Sequence, residues 1–222
     1  MCGRFTLTAD VNTLQTAFPW VDIPTGMAAR YNIAPSQPVA VLPNDGKDRL
    51  DFFLWGLIPS WAKDASIGAR LINARAETVA QKPSFRSALQ RRRCLVIADG
   101  FYEWEKSTNG GGKTPVYIKL KNGLPFAFAG LWDLWHAQDG SEIRSCTIIT
   151  CEPNQLMKPI HNRMPVILAP QAYRDWLSPK ETQPAQLSQY LTAYPSNEMI
   201  AYPVSKIVNN PAYDQPACIQ PA

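Results

Sequence analysis

The sequence opens with Met-Cys-Gly-Arg-Phe, which places a cysteine directly after the initiator methionine. If Met1 stays, Cys2 offers only a thiol near a chain end. If Met1 is removed, the thiol and an α-amine lie on adjacent carbons. The α-amine has a pKa of about 7.7–8.0, against about 10.4 for a lysine amine, so far more of it is neutral and nucleophilic at pH 7. The opening residues are therefore the first candidate for covalent chemistry.

The segment GFYEWEK sets an acid among aromatic residues. A strand here would place Glu103 beside Phe101 on one face and Trp104 on the other, because side chains alternate along a strand. An acid in such surroundings is partly desolvated, which raises its pKa and suits it to proton transfer. The alternative is a glutamate on an edge strand that faces water.

Two more segments carry polar side chains between apolar ones. LINARAETV contains Asn73 and Arg75, just before an expected helix start, and PIHNRMPVIL contains His161 and Arg163. Histidine titrates near neutrality and can act as an acid or a base, whereas the arginine fork suits phosphate. The alternatives are a hydrogen-bonded structural histidine, a turn asparagine and surface arginines.

Tryptophan and arginine residues suggest a surface for single-stranded nucleic acid. Trp55 and Trp61 bracket a proline in WGLIPSWAK, and three arginines at 91–93 precede an apolar strand. Exposed tryptophan beside arginine can hold a single strand through base stacking and phosphate pairing. A core position for the tryptophans and a solvated turn for the arginines are the alternatives.

The composition excludes several classes of protein. The chain has 222 residues, 45% of them hydrophobic, which is enough for a sizeable core, and a net charge of +4 that is compatible with nucleic acid. Its five cysteines form no CxxC pair and it has only two histidines, so a disulfide scaffold and a zinc site are both unexpected. No signal peptide and no apolar run of about 18 residues is seen, so we expect no membrane association and a cytoplasmic location.

The elements that must position these residues are short, because twenty prolines are spread along the chain. We predict a helix over 8–18, capped by Thr8 or Asp10, and short helices at 84–90, 171–177 and 185–191. We predict strands in AVLP, LDFFLWG, CLVIADGFYEWEK (with a kink or bulge at Gly100), PVYIKL, PFAFAGLWDLW, SCTIITC and PVIL, and a flexible loop in STNGGGK. The pattern predicts one strand-rich α+β domain over 1–222, with a partly closed, barrel-like antiparallel sheet system and short flanking helices.

Together the motifs MCGR, YNIAP, WGLIPSW, NARAET, RRCLVIADGFYEW and IHNRMPVIL occur in the order and spacing of one family. Over about residues 1–210 the chain resembles the SRAP (SOS response-associated peptidase) family. The resemblance implies a sensor of abasic sites in single-stranded DNA that needs no cofactor or metal, and we expect a monomer. It implies that the Cys2 amine, freed by loss of Met1, forms a Schiff base with the ring-opened sugar. The thiol then closes a thiazolidine ring, a step favoured because it is intramolecular.

The resemblance also implies roles for individual residues. Glu103 would orient the amine and shuttle a proton, His161 would act as acid and base, and Asn73 would bind the opened sugar or phosphate. The residues implied to contact DNA are Arg4, Arg75, Arg163, Trp55, Trp61, Trp104 and Thr150. The resemblance further implies weak lyase activity, crosslink reversal, self-catalysed removal of Met1 and association with the nucleoid during damage.

Two other functions fit the opening residues. N-terminal nucleophile hydrolases such as glutamine amidotransferases also begin with Cys-Gly, but there the amine is a base and the thiol attacks an amide. Release of ammonia from glutamine would favour that function. In a non-catalytic module for single-stranded DNA, Cys2 would be incidental, and an abasic strand would bind without becoming crosslinked.

Overall fold

Two β-sheets and a few short helices build the fold of residues 2–106 and 112–222, the part of the chain that the computed structural model describes. The strands are β1 (Phe5–Leu7), β2 (Arg30–Ile33), β3 (Pro38–Pro43), β4 (Asp51–Trp55), β5 (Asn73–Arg75), β6 (Arg93–Ala98), β7 (Gly100–Lys106), β8 (Lys113–Leu120), β9 (Phe126–His136), β10 (Glu142–Cys151), β11 (Met164–Pro165), β12 (Ile167–Leu168) and β13 (Met199–Pro203). The α-helices are α1 (Val11–Ala17), α2 (Arg86–Arg91), α3 (Tyr173–Trp176) and α4 (Pro184–Leu187). Short 3₁₀ helices cover Ala65–Arg70, Pro170–Ala172, Ser188–Tyr190, Ser196–Glu198, Lys206–Asn209 and Pro216–Ile219. The predicted strand-rich α+β class is confirmed.

Five strands of the larger sheet close on themselves. β10 pairs with β4, β4 with β3, β3 with β6, β6 with β9, and β9 pairs back with β10. Only the β10–β4 contact in this ring is parallel. Closure removes the unpaired edges that an open sheet would expose, and it gives the barrel-like arrangement that the sequence predicts. Strands β5 and β11 add to β10, and β12 adds to β9.

The second sheet has five antiparallel strands in the order β13–β8–β7–β1–β2. The chain enters it from the barrel between Ala98 and Gly100, so the segment predicted as one strand is two strands in different sheets. The predicted kink at Gly100 is where the chain changes sheet. A Cβ atom on Gly100 would lie 2.1 Å from the Tyr117 Oη, so only glycine fits at this junction.

The side chains of β7 alternate as predicted. Phe101 packs in the main core, whereas Tyr102 and Trp104 pack in a second cluster on the other face. Glu103 returns to the Phe101 side and is only 3% exposed. The alternative of a water-facing edge glutamate is therefore wrong.

The predicted N-terminal helix begins later than expected. Helix α1 starts at Val11, and the Asp10 carboxylate caps it by accepting a 2.8 Å hydrogen bond from the Thr13 N–H. Thr8 is not the cap, because its backbone N–H and its hydroxyl both donate to the Asp99 carboxylate. The helix predicted at 84–90 is observed as α2, and those predicted at 171–177 and 185–191 are each observed as a short α-helix adjoining a 3₁₀ turn.

Several short strands were not predicted. β1, β2, β5 and β13 have three to five residues, too few for an alternation to be recognised. The helix expected after Asn73 and Arg75 is wrong, because these residues form β5 and turns follow. PVIL contributes to two separate two-residue strands. These are β11, which pairs with β10, and β12, which pairs with β9. Residues 107–111 of the predicted loop lie outside the described residues.

Among the described residues, no helix is long and apolar enough to cross a membrane.

The arginine run at 91–93 is not simply a solvated turn. Arg91 is exposed, but Arg93 is fully buried at the start of β6. The Arg93 guanidinium donates to the carbonyl oxygens of Leu89, Gln90, Trp176, Ser178 and Lys180 and to the Thr182 hydroxyl. The Arg93 guanidinium thus donates hydrogen bonds to the carbonyl groups at the end of α2 and links the segment after α3 to the barrel.

We expect Arg93→Met to lower the free energy of unfolding by about 3 kcal/mol or more, because it leaves several buried carbonyl groups without a donor. Arg91→Met is the matched control, since its surface pair with Glu181 is worth less than about 1 kcal/mol. Urea unfolding of both variants measures the difference. Equal losses in the two variants would contradict the structural role of Arg93.

Candidate active site

The N-terminal strand carries Cys2 into the interior of the protein. The Tyr102 N–H donates a 2.9 Å hydrogen bond to the Arg4 carbonyl, and Phe5 pairs with Phe101 in the β1–β7 ladder. Cys2 itself is fully buried. A residue at the start of the chain is thus held beside the middle of β7.

Asn73 reaches Cys2 from the barrel side. Strand β5 pairs in parallel with β10, which places the Asn73 side chain so that its Nδ2 donates a 2.7 Å hydrogen bond to the Cys2 carbonyl. The Asn73 Oδ1 atom is buried and has no hydrogen-bond partner among the described residues. The amide therefore fixes the backbone of Cys2 and keeps an acceptor for a ligand.

Burial tunes the two acidic groups of the site in the same direction. It raises the pKa of Glu103 to about 7, so this carboxyl is present in both protonation states near neutral pH. Burial also raises the pKa of the Cys2 thiol, and the charge of Glu103 raises it further. Cys2 therefore offers a protonated thiol, and Glu103 can take up or release a proton beside it.

His161 completes the group from a turn before β11. Its Nδ1 lies 4.0 Å from the Glu103 Oε1 and accepts a 3.1 Å hydrogen bond from the Arg163 N–H. Burial lowers the pKa of His161, so the ring is neutral at pH 7. Nδ1 also lies 3.2 Å from the Arg163 carbonyl oxygen, so the tautomer decides which ring nitrogen carries the proton and which one accepts.

The structure thus brings together the four predicted catalytic residues, Cys2, Asn73, Glu103 and His161. A groove of about 310 Å³ passes His161 and has Trp104 in its wall. It also contains Lys106, Lys113 and Lys158, which sequence analysis missed. Lysines that flank a glycine-rich loop give no sequence signal of their own, and only the pairing of β7 with β8 places two of them together.

Two of the residues predicted to contact DNA are fully buried. Trp55 is fully buried, its ring lies 5.0 Å from that of Phe5, and its Nε1 donates to the Ile72 carbonyl. It belongs to the core and cannot stack on a base. Thr150 is also fully buried in β10, where its hydroxyl lies 3.4 Å from the Ala74 carbonyl.

Arg163 is occupied by a protein carboxylate. Its two terminal nitrogens donate to the two oxygens of Glu77 at 2.8 and 2.9 Å, and one of them also donates to the Thr150 carbonyl at 2.6 Å. The side chain is only 12% exposed. In this structure Arg163 therefore orders the turn that holds His161, and the predicted phosphate contact is not formed by a free guanidinium.

Arg4 is also engaged within the protein. One terminal nitrogen donates to the Asn32 Oδ1 and to the Val208 carbonyl, both at 2.7 Å, and the guanidinium lies 5.8 Å from the Trp104 ring. Arg75 is exposed at the end of β5, and Trp61 is 59% exposed. Contacts of Arg75, Trp61 and Trp104 with DNA stay predictions.

No group of three or more metal-ligating side chains occurs among residues 2–106 and 112–222. All five cysteines are buried free thiols.

We expect the raised pKa of Glu103 to reduce stability at neutral pH. Its folded value of about 7 exceeds the ordinary 4.5, so its contribution is complete below pH 4.5 and is lost as the pH rises through 7. Glu103→Gln should remove this fall, which amounts to about 2–3 kcal/mol. Urea unfolding at pH 5 and pH 8 measures it, with Glu105→Gln on the same strand as control. A wild-type-like fall in Glu103→Gln would contradict the assignment.

Comparison with known proteins finds one family along almost the whole chain. The family model described as SOS response associated peptidase (SRAP) matches residues 1–211. The chain is 47% identical over 224 residues to the abasic site processing protein YoqW of Bacillus subtilis, with 99% of each chain covered. It is 32% identical over 232 residues to the abasic site processing protein YedK of Escherichia coli, with 100% of each covered.

A solved structure shares the fold along the whole chain. The crystal structure of a protein from Bacteroides thetaiotaomicron superposes with a TM-score of 0.87 at 28% identity and covers 100% of both chains. The family match includes all four residues of the site, from Cys2 to His161. The chain belongs to the SOS response associated peptidase (SRAP) family.

Proposed function

We propose that this protein processes abasic sites in DNA and captures them in single strands through Cys2 once Met1 has been removed. The observation that carries the proposal is the convergence of Asn73, Glu103 and His161 on a cysteine at the start of the chain. The names of the relatives in Bacillus subtilis and Escherichia coli support the choice of an abasic site as substrate.

The proposed capture takes two bond-forming steps. The neutral α-amine of Cys2 adds to the C1′ aldehyde of the ring-opened sugar, and loss of one water leaves an imine. The Cys2 sulfur then adds to the imine carbon, and its proton passes to the nitrogen, which closes a five-membered thiazolidine ring. The second step is intramolecular and gains a large effective molarity, so the adduct persists where a lysine imine would hydrolyse.

The surrounding residues supply the proton transfers that these steps need. Glu103, with a pKa of about 7, can accept a proton from the α-ammonium group and return it to the departing water. The neutral ring of His161 can donate a hydrogen bond to the sugar oxygen as the sugar opens, and it can accept a proton as a base. The buried Oδ1 of Asn73 can accept a hydrogen bond from a sugar hydroxyl.

The proposal includes three weaker activities. Removal of the C2′ proton from the imine, before the ring closes, would break the C3′–O bond and give lyase activity. Reopening of the thiazolidine to the imine, with proton transfer back through Glu103, followed by addition of one water to the imine carbon, would release the aldehyde and the amine and so reverse the crosslink. Self-catalysed release of Met1 would generate the reactive amine. All three depend on the same four residues, since no second set of acid and base groups is needed.

Purified protein lacking Met1 should form a band of reduced mobility with a uracil-containing strand treated with uracil glycosylase, on a denaturing gel without reductant. Cys2→Ser should give no stable band, because serine keeps the amine but lacks the sulfur. Borohydride should restore a band in Cys2→Ser by reducing its imine. The mass of the intact protein must first establish that Met1 is absent in both.

A stable unreduced band with Cys2→Ser would contradict the thiazolidine. Absence of any band with processed wild-type protein would contradict capture altogether. Release of ammonia from glutamine by the same preparation would instead favour a hydrolase in which the thiol is the nucleophile.

The rate of capture should rise with pH between about 5.5 and 7.5. Glu103 must be ionised to accept a proton, so activity falls as the pH drops through its pKa of about 7. Glu103→Gln should slow capture roughly 100-fold or more and remove this inflection, leaving only that of the α-amine near pH 8. Single-turnover rates of both proteins across this range test the role. An unchanged pH profile in Glu103→Gln would assign the base elsewhere.

A further inference from the structure

The groove that passes His161 has a consistent charge. Three of its lining residues, Lys106, Lys113 and Lys158, are exposed lysines, and none of the lining residues is acidic. None of the three lysines forms an ion pair with any described residue of the chain. No carboxylate of the described residues therefore lies in ion-pair contact with these lysines, unlike the carboxylates that pair with Arg163, Arg30 and Arg174.

Two different parts of the fold supply these lysines. Lys106 and Lys113 are directly opposite each other at the end of the β7–β8 ladder, and Lys158 comes from the segment that leads to His161. Lys113 is near enough to the site that, besides the larger effect of burial, its charge lowers the pKa of both Glu103 and His161. The row of positive charge is thus continuous with the site.

The groove also has a rigid aromatic wall. The Trp104 ring is fixed because its Nε1 donates a 2.7 Å hydrogen bond to the Asn209 Oδ1 and because the Arg4 guanidinium lies 5.8 Å from it. A fixed indole beside unpaired ammonium groups matches a single nucleic-acid strand, whose bases are free to stack and whose phosphates seek cations.

We propose that this groove binds the phosphodiester backbone of the strand on one side of the lesion, with Lys106, Lys113 and Lys158 as phosphate contacts and Trp104 as a base platform. The inference rests on the proposed function for the position of the lesion beside Cys2. It adds the path that the strand takes away from the site and the residues that set affinity without taking part in the chemistry.

The test uses a single strand that contains a tetrahydrofuran abasic analogue, which has no aldehyde and binds only non-covalently. Fluorescence anisotropy gives Kd for the wild type and for the triple variant Lys106→Gln, Lys113→Gln, Lys158→Gln at several salt concentrations. The matched control is Lys47→Gln, Lys121→Gln, Lys180→Gln, which removes the same three charges from exposed positions outside the groove.

The slope of log Kd against log salt should decrease by about 2 in the groove variant, or about 0.7 for each lost phosphate contact. The control variant should keep the wild-type slope. Equal slopes in the groove variant and the wild type, or equal decreases in both variants, would overturn the proposal.

Strands that extend from the analogue in only one direction locate the contact. The groove variant should lose affinity for one of the two extensions and keep wild-type affinity for the other. Equal losses for both would overturn the one-sided path. Since the analogue cannot react, these affinities are independent of covalent capture. Failure to crosslink a true abasic site would contradict the proposed function, whereas only the affinities for the analogue decide whether the groove binds the strand.

Discussion

The hydrogen bonds of the Asp99 carboxylate hold the start of the chain, and the rest of the site depends on them. This carboxylate accepts from the Thr6 hydroxyl, the Thr8 N–H and hydroxyl, and the Ala9 N–H. A chain terminus is usually mobile, and ordering its backbone costs about 1–2 kcal/mol for each residue. By fastening residues 6–9 at the junction between the two sheets, Asp99 allows β1 to pair with β7 and carries Cys2 to Glu103.

Burial then gives each group of the site its chemical state. It keeps the Cys2 thiol protonated, brings the pKa of Glu103 to about 7 and keeps His161 neutral. These shifts favour a mechanism in which the nitrogen attacks first and the sulfur follows, because a protonated thiol is a poor nucleophile until a neighbouring base takes its proton. The closed barrel supports this arrangement by holding Asn73 on a short strand against β10.

The sequence was most informative where polar residues interrupt apolar segments. Glu103, Asn73 and His161 were all recognisable in this way, and the alternation along β7 correctly predicted a buried glutamate. The sequence could not separate Trp55 in the core from Trp61 on the surface, because both occur in one aromatic segment and only the packing of Phe5 distinguishes them. It also could not show that Arg163 is paired with Glu77, 86 residues away along the chain, or that Arg93 is buried among carbonyl groups.

The central claim is that the α-amine and the thiol of Cys2 both bond to the C1′ carbon of an abasic site. Mass spectrometry of the crosslinked protein, digested with protease and nuclease, tests it most directly. The account predicts an adduct on the peptide that begins at Cys2, with the mass of the two parts less one water and with no thiol left to alkylate. An adduct on a lysine, or on Cys2 with a thiol that still reacts with iodoacetamide, would contradict it.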